Sequence, residues 1–287
     1  MIFVTDLGAP EGPALLLDGS WLCVEMAADR GWVAQIGPDG REKRVVARTG
    51  RPNGLAVDRD GAIWVAESQV PSLLRLSLDG ACEVFLTGCD GEPFLFPNDL
   101  AFGPDGLLYL TDSGVVHADL APGGRIRDDY EAIPYDGRVY RIDTKSGRIT
   151  KLDSQIKFTN GIAVDAAGSV YVNETMTGNV YRYERRGGDL GPRALFGNVN
   201  DPSGKPGWRG PDGMKFAANG DLYVTVYNQG DVTVLDRYGR VAHRIPLAGR
   251  QPTNLAFGPN GTIFVTEVEH GRMEMHAVGV AGLALFG

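Results

Sequence analysis

Several kinds of segment are missing from this 287-residue sequence. No stretch comes near the roughly 20 apolar residues that cross a bilayer as a helix, so we predict no membrane partner. The first residues, MIFVTDLGAPEG, lack both a basic region and a long apolar core, which argues against a signal peptide. We therefore expect a cytoplasmic protein.

Cysteine and histidine are scarce, with three and four copies. Neither residue type recurs at a metal-binding spacing, and the odd cysteine count suits a reducing compartment. The sequence also lacks a G-x-S-x-G nucleophile elbow and an H-E-x-x-H zinc motif. These absences argue against the serine hydrolases and zinc enzymes that carry those motifs.

Glycine, in contrast, is abundant, with 40 copies spread evenly along the chain. This is about twice the usual share of ~7% and indicates many tight turns. The hydrophobic content of 43% is enough for a large core. The net charge of −8 argues against a nucleic-acid partner and leaves room for a bound cation.

Six segments share one pattern, for example NGLAVDRDGAIWVAE from Asn53 and NGIAVDAAGSVYVNE from Asn160. Each segment begins with a polar residue and a short apolar run. A turn pair follows at the seventh and eighth positions, such as Asp60-Gly61 and Ala167-Gly168, and a second apolar run follows the turn. This pattern predicts a β-hairpin in every unit.

Further strand-like runs follow the hairpins, such as GRVYRID (137–143) and KRVVA (43–47). Four short strands per unit, repeated six times, predict an all-β fold: a six-bladed β-propeller of four-stranded antiparallel blades, forming one domain over residues 1–287. The last unit lacks a clear fourth strand, so we expect the N-terminal strand, residues 2–5, to supply it and close the ring. The tail, AGLALFG, is expected to pack across this closure.

The first polar residue of each unit is expected to face the propeller axis, because first strands line the central channel. We call these six residues the axial ring: Glu11, Asn53, Asn98, Asn160, Asp212 and Thr253. Carboxylate and amide oxygens suit a hard cation, Ca²⁺ above all, and the absence of thiolate and imidazole argues against a closed structural zinc site. Capping of strand ends is the alternative for any one of these residues, but the shared register favours a site.

Five units also end their hairpin on an acidic residue, fourteen positions after the axial one. Regular hairpin geometry would place this acid beside the axial residue, where it either orients that side chain or is a solvated charge. These acids are Glu25, Glu67, Asp112, Glu174 and Glu267.

The motifs PEGP, PNDLAFGPDGLLYLTD, TNGIAVDAAGSVYVNET, GPDGMKFAANGDLYVT and the terminal GLALFG together resemble the SMP-30/gluconolactonase/LRE family of six-bladed propeller lactonases. The resemblance implies one divalent ion held by Glu11, Asn160 and Asp212, with Asp212 also the general base. Ca²⁺ is the first choice, with Zn²⁺, Mn²⁺, Fe²⁺ and Mg²⁺ as alternatives. It further implies that Asn98 contacts the substrate or the water at the ion, and we expect the same of Asn53.

One position departs from the family pattern. Members that act on sugar lactones commonly carry an Arg two residues before the Asn equivalent to Asn98, whereas this sequence has Phe96. An apolar wall there favours a less hydroxylated lactone. Two insertions, residues 113–137 and 197–210, are expected to form the rim and to bring His117 and Trp208 towards the substrate. The alternative for Trp208 is a structural aromatic that anchors its loop.

The sequence thus predicts a metal-dependent hydrolase that opens the ester ring of a small-molecule lactone, either a sugar lactone or a less hydroxylated one. The residues leave open whether Asp212 or the ion itself activates the attacking water. Two alternatives remain: a phosphotriesterase-type hydrolase on the same propeller, and a non-catalytic propeller interaction module with a structural ion.

Overall fold

Each repeated unit begins with the hairpin that its turn pair predicts. In the computed structural model, which describes residues 1–204 and 207–286, the glycine of every turn pair has a positive φ, from 66° at Gly261 to 89° at Gly220. Glycine adopts this conformation without a steric penalty. The pair Asn160-Gly161 lies instead inside a strand, where a Cβ on Gly161 would clash with the carbonyl oxygen of Asp212.

Two further strands complete each unit, so that six four-stranded antiparallel sheets, or blades, form in chain order. Blade 1 contains β2 (Pro10–Leu15), β3 (Trp21–Glu25), β4 (Trp32–Ile36) and β5 (Lys43–Arg48). Blade 2 contains β6 (Pro52–Val57), β7 (Ile63–Glu67), β8 (Ser72–Leu76) and β9 (Cys82–Leu86). A small hairpin of β10 (Gly88–Cys89) and β11 (Glu92–Pro93) precedes blade 3, which contains β12 (Pro97–Phe102), β13 (Leu108–Asp112), β14 (Gly137–Ile142) and β15 (Ile149–Ile156).

The remaining blades follow the same plan. Blade 4 contains β16 (Thr159–Val164), β17 (Val170–Glu174), β18 (Asn179–Arg186) and β19 (Asp189–Asn198). Blade 5 contains β20 (Gly210–Phe216), β21 (Leu222–Tyr227), β22 (Asp231–Leu235) and β23 (Val241–Pro246). Blade 6 contains β24 (Pro252–Gly258), β25 (Thr262–Glu267), β26 (Arg272–Ala277) and β1 (Ile2–Val4).

The N-terminal strand closes the ring, as predicted. β1 pairs antiparallel with β26, with Ile2 opposite Glu274 and Val4 opposite Met273. Chain start and chain end therefore share one sheet, and the outer edge of blade 6 is made by β1.

Every first strand contains a break in register around its axial residue. In β12, for example, the pairing passes from Pro97 opposite Asp112 to Leu100 opposite Leu110, and four other first strands break at the same two positions. In β2 the break comes one residue later, between Glu11 and Ala14. Such a β-bulge inserts one residue on one strand and redirects the side chains beside it. Five of the six blades have proline directly before the axial residue, a type suited to the first position of a strand.

Six apolar clusters lie one between each pair of neighbouring blades, and a seventh lies around Phe96 and Phe158. Between blades 6 and 1, the rings of Trp21 and Phe264 lie 4.1 Å apart, measured between centroids. Because the apolar side chains pack between blades, the inner strands are free to carry polar side chains at the axis.

Helical structure is short: α1 (His117–Leu120) in the first insertion, and 3-10 turns at Pro122–Gly124, Tyr130–Ala132 and Pro259–Gly261. No helix among the described residues is long and apolar enough to cross a membrane.

The tail lies elsewhere than expected. It does not pack across the closure. The Leu283 N–H donates to the Phe216 carbonyl of blade 5, and Phe286 packs onto two clusters, one between blades 2 and 3 and one between blades 3 and 4. Both contacts lie away from β1, because the apolar surface open to the tail is at the turn ends of the first strands.

Candidate active site

The structure brings the six axial residues to one end of the channel, each at the bulge of its first strand. Glu11 is 2% exposed and Asn160 is 6% exposed. Asp212 keeps some accessible surface in the channel, although protein surrounds it. The repeat therefore produces a buried polar ring, as its register indicated.

In blades 3 and 4, a hydroxyl orients the axial carboxamide. Asn98 Nδ2 donates to Ser113 Oγ at 2.9 Å, and Asn160 Nδ2 donates to Thr175 Oγ1 at 3.2 Å. Each hydroxyl in turn donates to a carbonyl before the next axial residue: Ser113 to Thr159 at 2.9 Å and Thr175 to Pro211 at 2.8 Å. Since each hydroxyl has only one proton, the amide nitrogens must be the donors. The Oδ1 atoms are left for another partner.

Blade 2 uses the corresponding hydroxyl differently. Ser68 Oγ donates to the Arg51 carbonyl and accepts from Arg51 Nη1, both at 2.9 Å. Asn53 has no side-chain hydrogen bond to another described residue. In blade 6, Thr253 Oγ1 donates to the Pro10 carbonyl at 2.7 Å, so this axial residue links the last blade to the first.

Two side chains that the sequence analysis missed fill the axis beneath the ring. The residue after each axial one is glycine in four blades, but Asp99 and Asn254 in blades 3 and 6. Asn254 Nδ2 donates across the channel to Asp99 Oδ2 at 3.4 Å. A Cβ on Gly54 or Gly213 would clash with one of these two side chains. The alternation of four glycines with these residues was visible in the repeat.

Negative charge is crowded at the axis. Burial and the nearby carboxylates of Asp99 and Asp212 raise the pKa of Glu11 well above its usual value, against the effects of Asn254 and Lys215. Burial and Asp99 likewise raise the pKa of Asp212, which the Asn160 amide opposes. Carboxylates in such proximity are stabilised by a cation between them.

The donor atoms of the ring fit a hard cation. Among the described residues, Glu11 Oε2 and Asn98 Oδ1 are buried side-chain atoms without a hydrogen-bond partner. A buried unpaired oxygen is costly, and a ligated ion would satisfy it. The ring contributes only oxygen donors, which are the ligands preferred by Ca²⁺.

A second acidic group lies outside the channel. Single ligand atoms of Glu267, Glu269 and His270 lie within 4.8 Å of one another. However, Glu267 already accepts N–H donors from the Gln251, Glu269 and His270 backbones. Its oxygens are thus used to hold the chain.

The acids at the hairpin ends do not orient the axial residues. The bulge shifts the pairing by one position, so that Asp112 lies opposite Pro97 and Glu174 opposite Thr159. Asp112 accepts the N–H groups of Leu95 and Phe96 at 2.7 and 3.0 Å. These carboxylates therefore fasten the loop that enters each first strand.

Apolar side chains line one side of the mouth above the ring. The ring of Phe96 meets those of His117 and Phe158 edge-on, at centroid distances of 5.5 and 5.9 Å. Trp208 lies 5.0 Å from Phe158 and 5.4 Å from Tyr130 of the first insertion. Both insertions therefore pack onto Phe96 and Phe158. Of the second insertion, residues 205 and 206 lie outside the described residues.

His117 is held neutral in this environment. Burial and, secondly, the charge of Arg51 lower its pKa to about 4. At neutral pH the imidazole can therefore donate or accept a hydrogen bond, but it carries no charge.

Comparison with known proteins identifies the family. Residues 9–269 match the SMP-30/Gluconolactonase/LRE-like region. The chain belongs to this family. The match covers all six axial residues and both insertions.

Three relatives illustrate the likeness. A gluconolactonase from Zymomonas mobilis is 25% identical, with 92% of this chain and 78% of that protein covered. Lactonase drp35 from Staphylococcus epidermidis is 30% identical over 53% of this chain, which spans only 42% of that protein. A calcium-binding protein, regucalcin from Agrobacterium tumefaciens, shares the fold with a TM-score of 0.77 and 20% identity, covering 99% of this chain and 98% of that one.

Proposed function

We propose that this protein is a metal-dependent lactonase, a carboxylic ester hydrolase that opens a lactone ring. Membership of the family and the relatives named gluconolactonase and lactonase support the reaction class. The observation that carries the proposal is the buried axial ring, in which Glu11 Oε2 and Asn98 Oδ1 have no partner among the described residues.

In this proposal, Glu11, Asn160 and Asp212 hold one divalent ion, Ca²⁺ by the hardness of the donors. The hydrogen bonds of Thr175 support this arrangement because they make Asn160 Nδ2 a donor and leave Oδ1 as the atom of this carboxamide that could bind an ion. A bound ion would polarise the lactone carbonyl and stabilise the charge that develops on its oxygen.

The other residues of the site position the substrate. Asn98 and Asn53 contact the polar edge of the lactone, while Phe96 and Trp208 form an apolar wall and the neutral His117 stands at its rim. This wall excludes water from one side of the mouth and favours a ring with few hydroxyl groups on that side.

Asp212 takes the proton of the attacking water. The water oxygen bonds to the carbonyl carbon, the ring carbon–oxygen bond breaks, and the released alkoxide accepts a proton to give a hydroxy acid. The Asp212 carboxylate is suited to this transfer because it keeps accessible surface in the channel beside the other axial donors, where a water can reach it.

A pH-indicator assay on γ- and δ-lactones, from sugar lactones to alkyl lactones and with one phosphotriester added, tests the proposal. We expect lactone turnover that a chelator abolishes and Ca²⁺ restores. Asp212→Asn should lower turnover by about 1,000-fold or more, because it removes the proton acceptor. Asp236→Asn, in an exposed turn of the same blade, is the matched control and should act like wild type. Absence of metal-restorable turnover on every lactone would overturn the proposal.

A further inference from the structure

Arg51 occupies a position around the mouth that the axial ring does not explain. It lies two residues before Asn53, as Phe96 and Phe158 lie two residues before Asn98 and Asn160. Its guanidinium carbon stands 5.2 Å from the centroid of the Phe96 ring. The mouth therefore has an apolar wall with one cation stacked against it.

No carboxylate among the described residues forms an ion pair with Arg51. Its Nη1 donates to the neutral Ser68 hydroxyl at 2.9 Å. The nearby Glu67 uses Oε1 to accept the backbone N–H groups of Arg51 and Gln69, both at 2.7 Å. Burial lowers the pKa of Arg51 to about 10, and the charge of Glu67 only partly opposes this. Arg51 is thus charged at neutral pH, and the Glu67 carboxylate offsets this charge from a distance without forming an ion pair.

A partly desolvated guanidinium without a counter-ion loses hydration that an anion can replace. The planar guanidinium has five N–H donors in a fixed geometry that matches a carboxylate in two parallel hydrogen bonds. Stacking on Phe96 and the bond to Ser68 hold that plane in place. Within the described residues, Nη1 is the one guanidinium nitrogen of Arg51 with a hydrogen bond, to Ser68.

We propose that Arg51 binds a carboxylate group on the substrate, so that the protein acts on lactones carrying an anionic substituent. This inference rests on the proposed lactonase function and specifies its substrate class. Arg51 and the axial ring would then bind the two ends of the substrate, with the lactone carbonyl at the ring and the substituent beside Phe96.

A matched pair of substrates tests the inference: γ-butyrolactone with a carboxylate on its γ-carbon, and the same ring with a primary carboxamide. We expect wild type to favour the carboxylate by at least about 30-fold in kcat/KM. Arg51→Met should remove this preference while changing the carboxamide value less than about threefold, and Arg51→Lys should keep part of it. Arg75→Met is the matched control, since Arg75 lies in the same blade and also stacks on an aromatic ring, that of Trp64.

A binding measurement separates this inference from the lactonase proposal. Tetrahydrofuran-2-carboxylate has no ester bond, and its affinity for the Ca²⁺-loaded protein can be measured by calorimetry. We expect Arg51→Met to weaken it by at least about 30-fold without changing Ca²⁺ affinity. If no lactone is hydrolysed but this loss occurs, the lactonase proposal fails and the anion site stands. If Arg51→Met leaves both the substrate preference and the analogue's affinity unchanged, the inference is overturned.

Discussion

Blades 2 and 4 enter the channel with the same dipeptide, Asn53-Gly54 in one and Asn160-Gly161 in the other. Each also has a hydroxyl fifteen residues after its Asn, and the two hydroxyls differ in what they bind. Thr175 bonds the Asn160 amide, whereas Ser68 bonds Arg51 on both sides. The residue two positions before the Asn accounts for the difference, because Phe158 offers the hydroxyl no competing donor. The same Asn-Gly motif thus contains a proposed metal ligand in blade 4, and in blade 2 it follows an arginine that is proposed to bind the substrate.

The largest expected difference between the two blades is in metal affinity. Asn160→Ala should weaken Ca²⁺ binding by about 100-fold or more, because it removes an oxygen ligand. Loss of a residue that only hydrogen-bonds a metal ligand already lowers metal affinity by about 10–100-fold. Asn53→Ala should weaken it by less than about fivefold, since no ligand is lost. Calorimetric titration with Ca²⁺ measures both. Equal losses would show that the two blades contribute alike to the ion site.

Removal of the two hydroxyls, those of Thr175 and Ser68, should also affect Ca²⁺ affinity more in blade 4 than in blade 2, but by a smaller factor. Thr175→Val keeps the shape of the side chain and frees the Asn160 carboxamide to turn, so Ca²⁺ affinity should fall by about tenfold. Ser68→Ala should leave Ca²⁺ affinity unchanged and reduce the preference for the carboxylate-bearing lactone, because Arg51 loses its support. A fall in Ca²⁺ affinity with Ser68→Ala would contradict the assignment of the two hydroxyls.

The smallest expected effect is on the free energy of unfolding, at the junctions between neighbouring blades. Thr111 Oγ1 donates to the Asn160 carbonyl at 2.6 Å, whereas blade 2 has Ala66 at the same position of its hairpin. Thr111→Val should lower the free energy of unfolding by about 1–3 kcal/mol, because it leaves a buried carbonyl unpaired. Urea unfolding measures this change, with Thr150→Val on the exposed outer strand of the same blade as control. A loss no larger than that of the control would mean that the junction does not depend on this bond.

The fold could be predicted because the repeat has a fixed register: six turn pairs, six polar entries and a missing fourth strand that residues 2–5 supply. The hairpin-end acids could not be placed, because counting along a regular hairpin ignores the bulge that shifts Asp112 to Pro97. The proline before five of the axial residues has no N–H for strand pairing, and it is the one sign in the sequence that the hydrogen-bond ladder is interrupted there.

The side chains outside the repeat were harder to predict. Strict strand alternation turns the neighbour of an axial residue away from the channel, so the sequence alone does not place Asp99 at the axis. The bulge in β12 lets Asn98 and Asp99 both face inward. Arg51 belongs to one blade alone, and its importance depends on contacts with Phe96 and Ser68 that bring together different loops. Phe96, in contrast, stood out because it departs from the family pattern.

The position of a bound ion tests the central claim most directly. A crystal structure of the protein grown with Ca²⁺ should contain one ion at the axis, with oxygens of Glu11, Asn160 and Asp212 at about 2.3–2.6 Å. Calcium at Glu267, Glu269 and His270 alone, or an axial ring without an ion at saturating Ca²⁺, would contradict it.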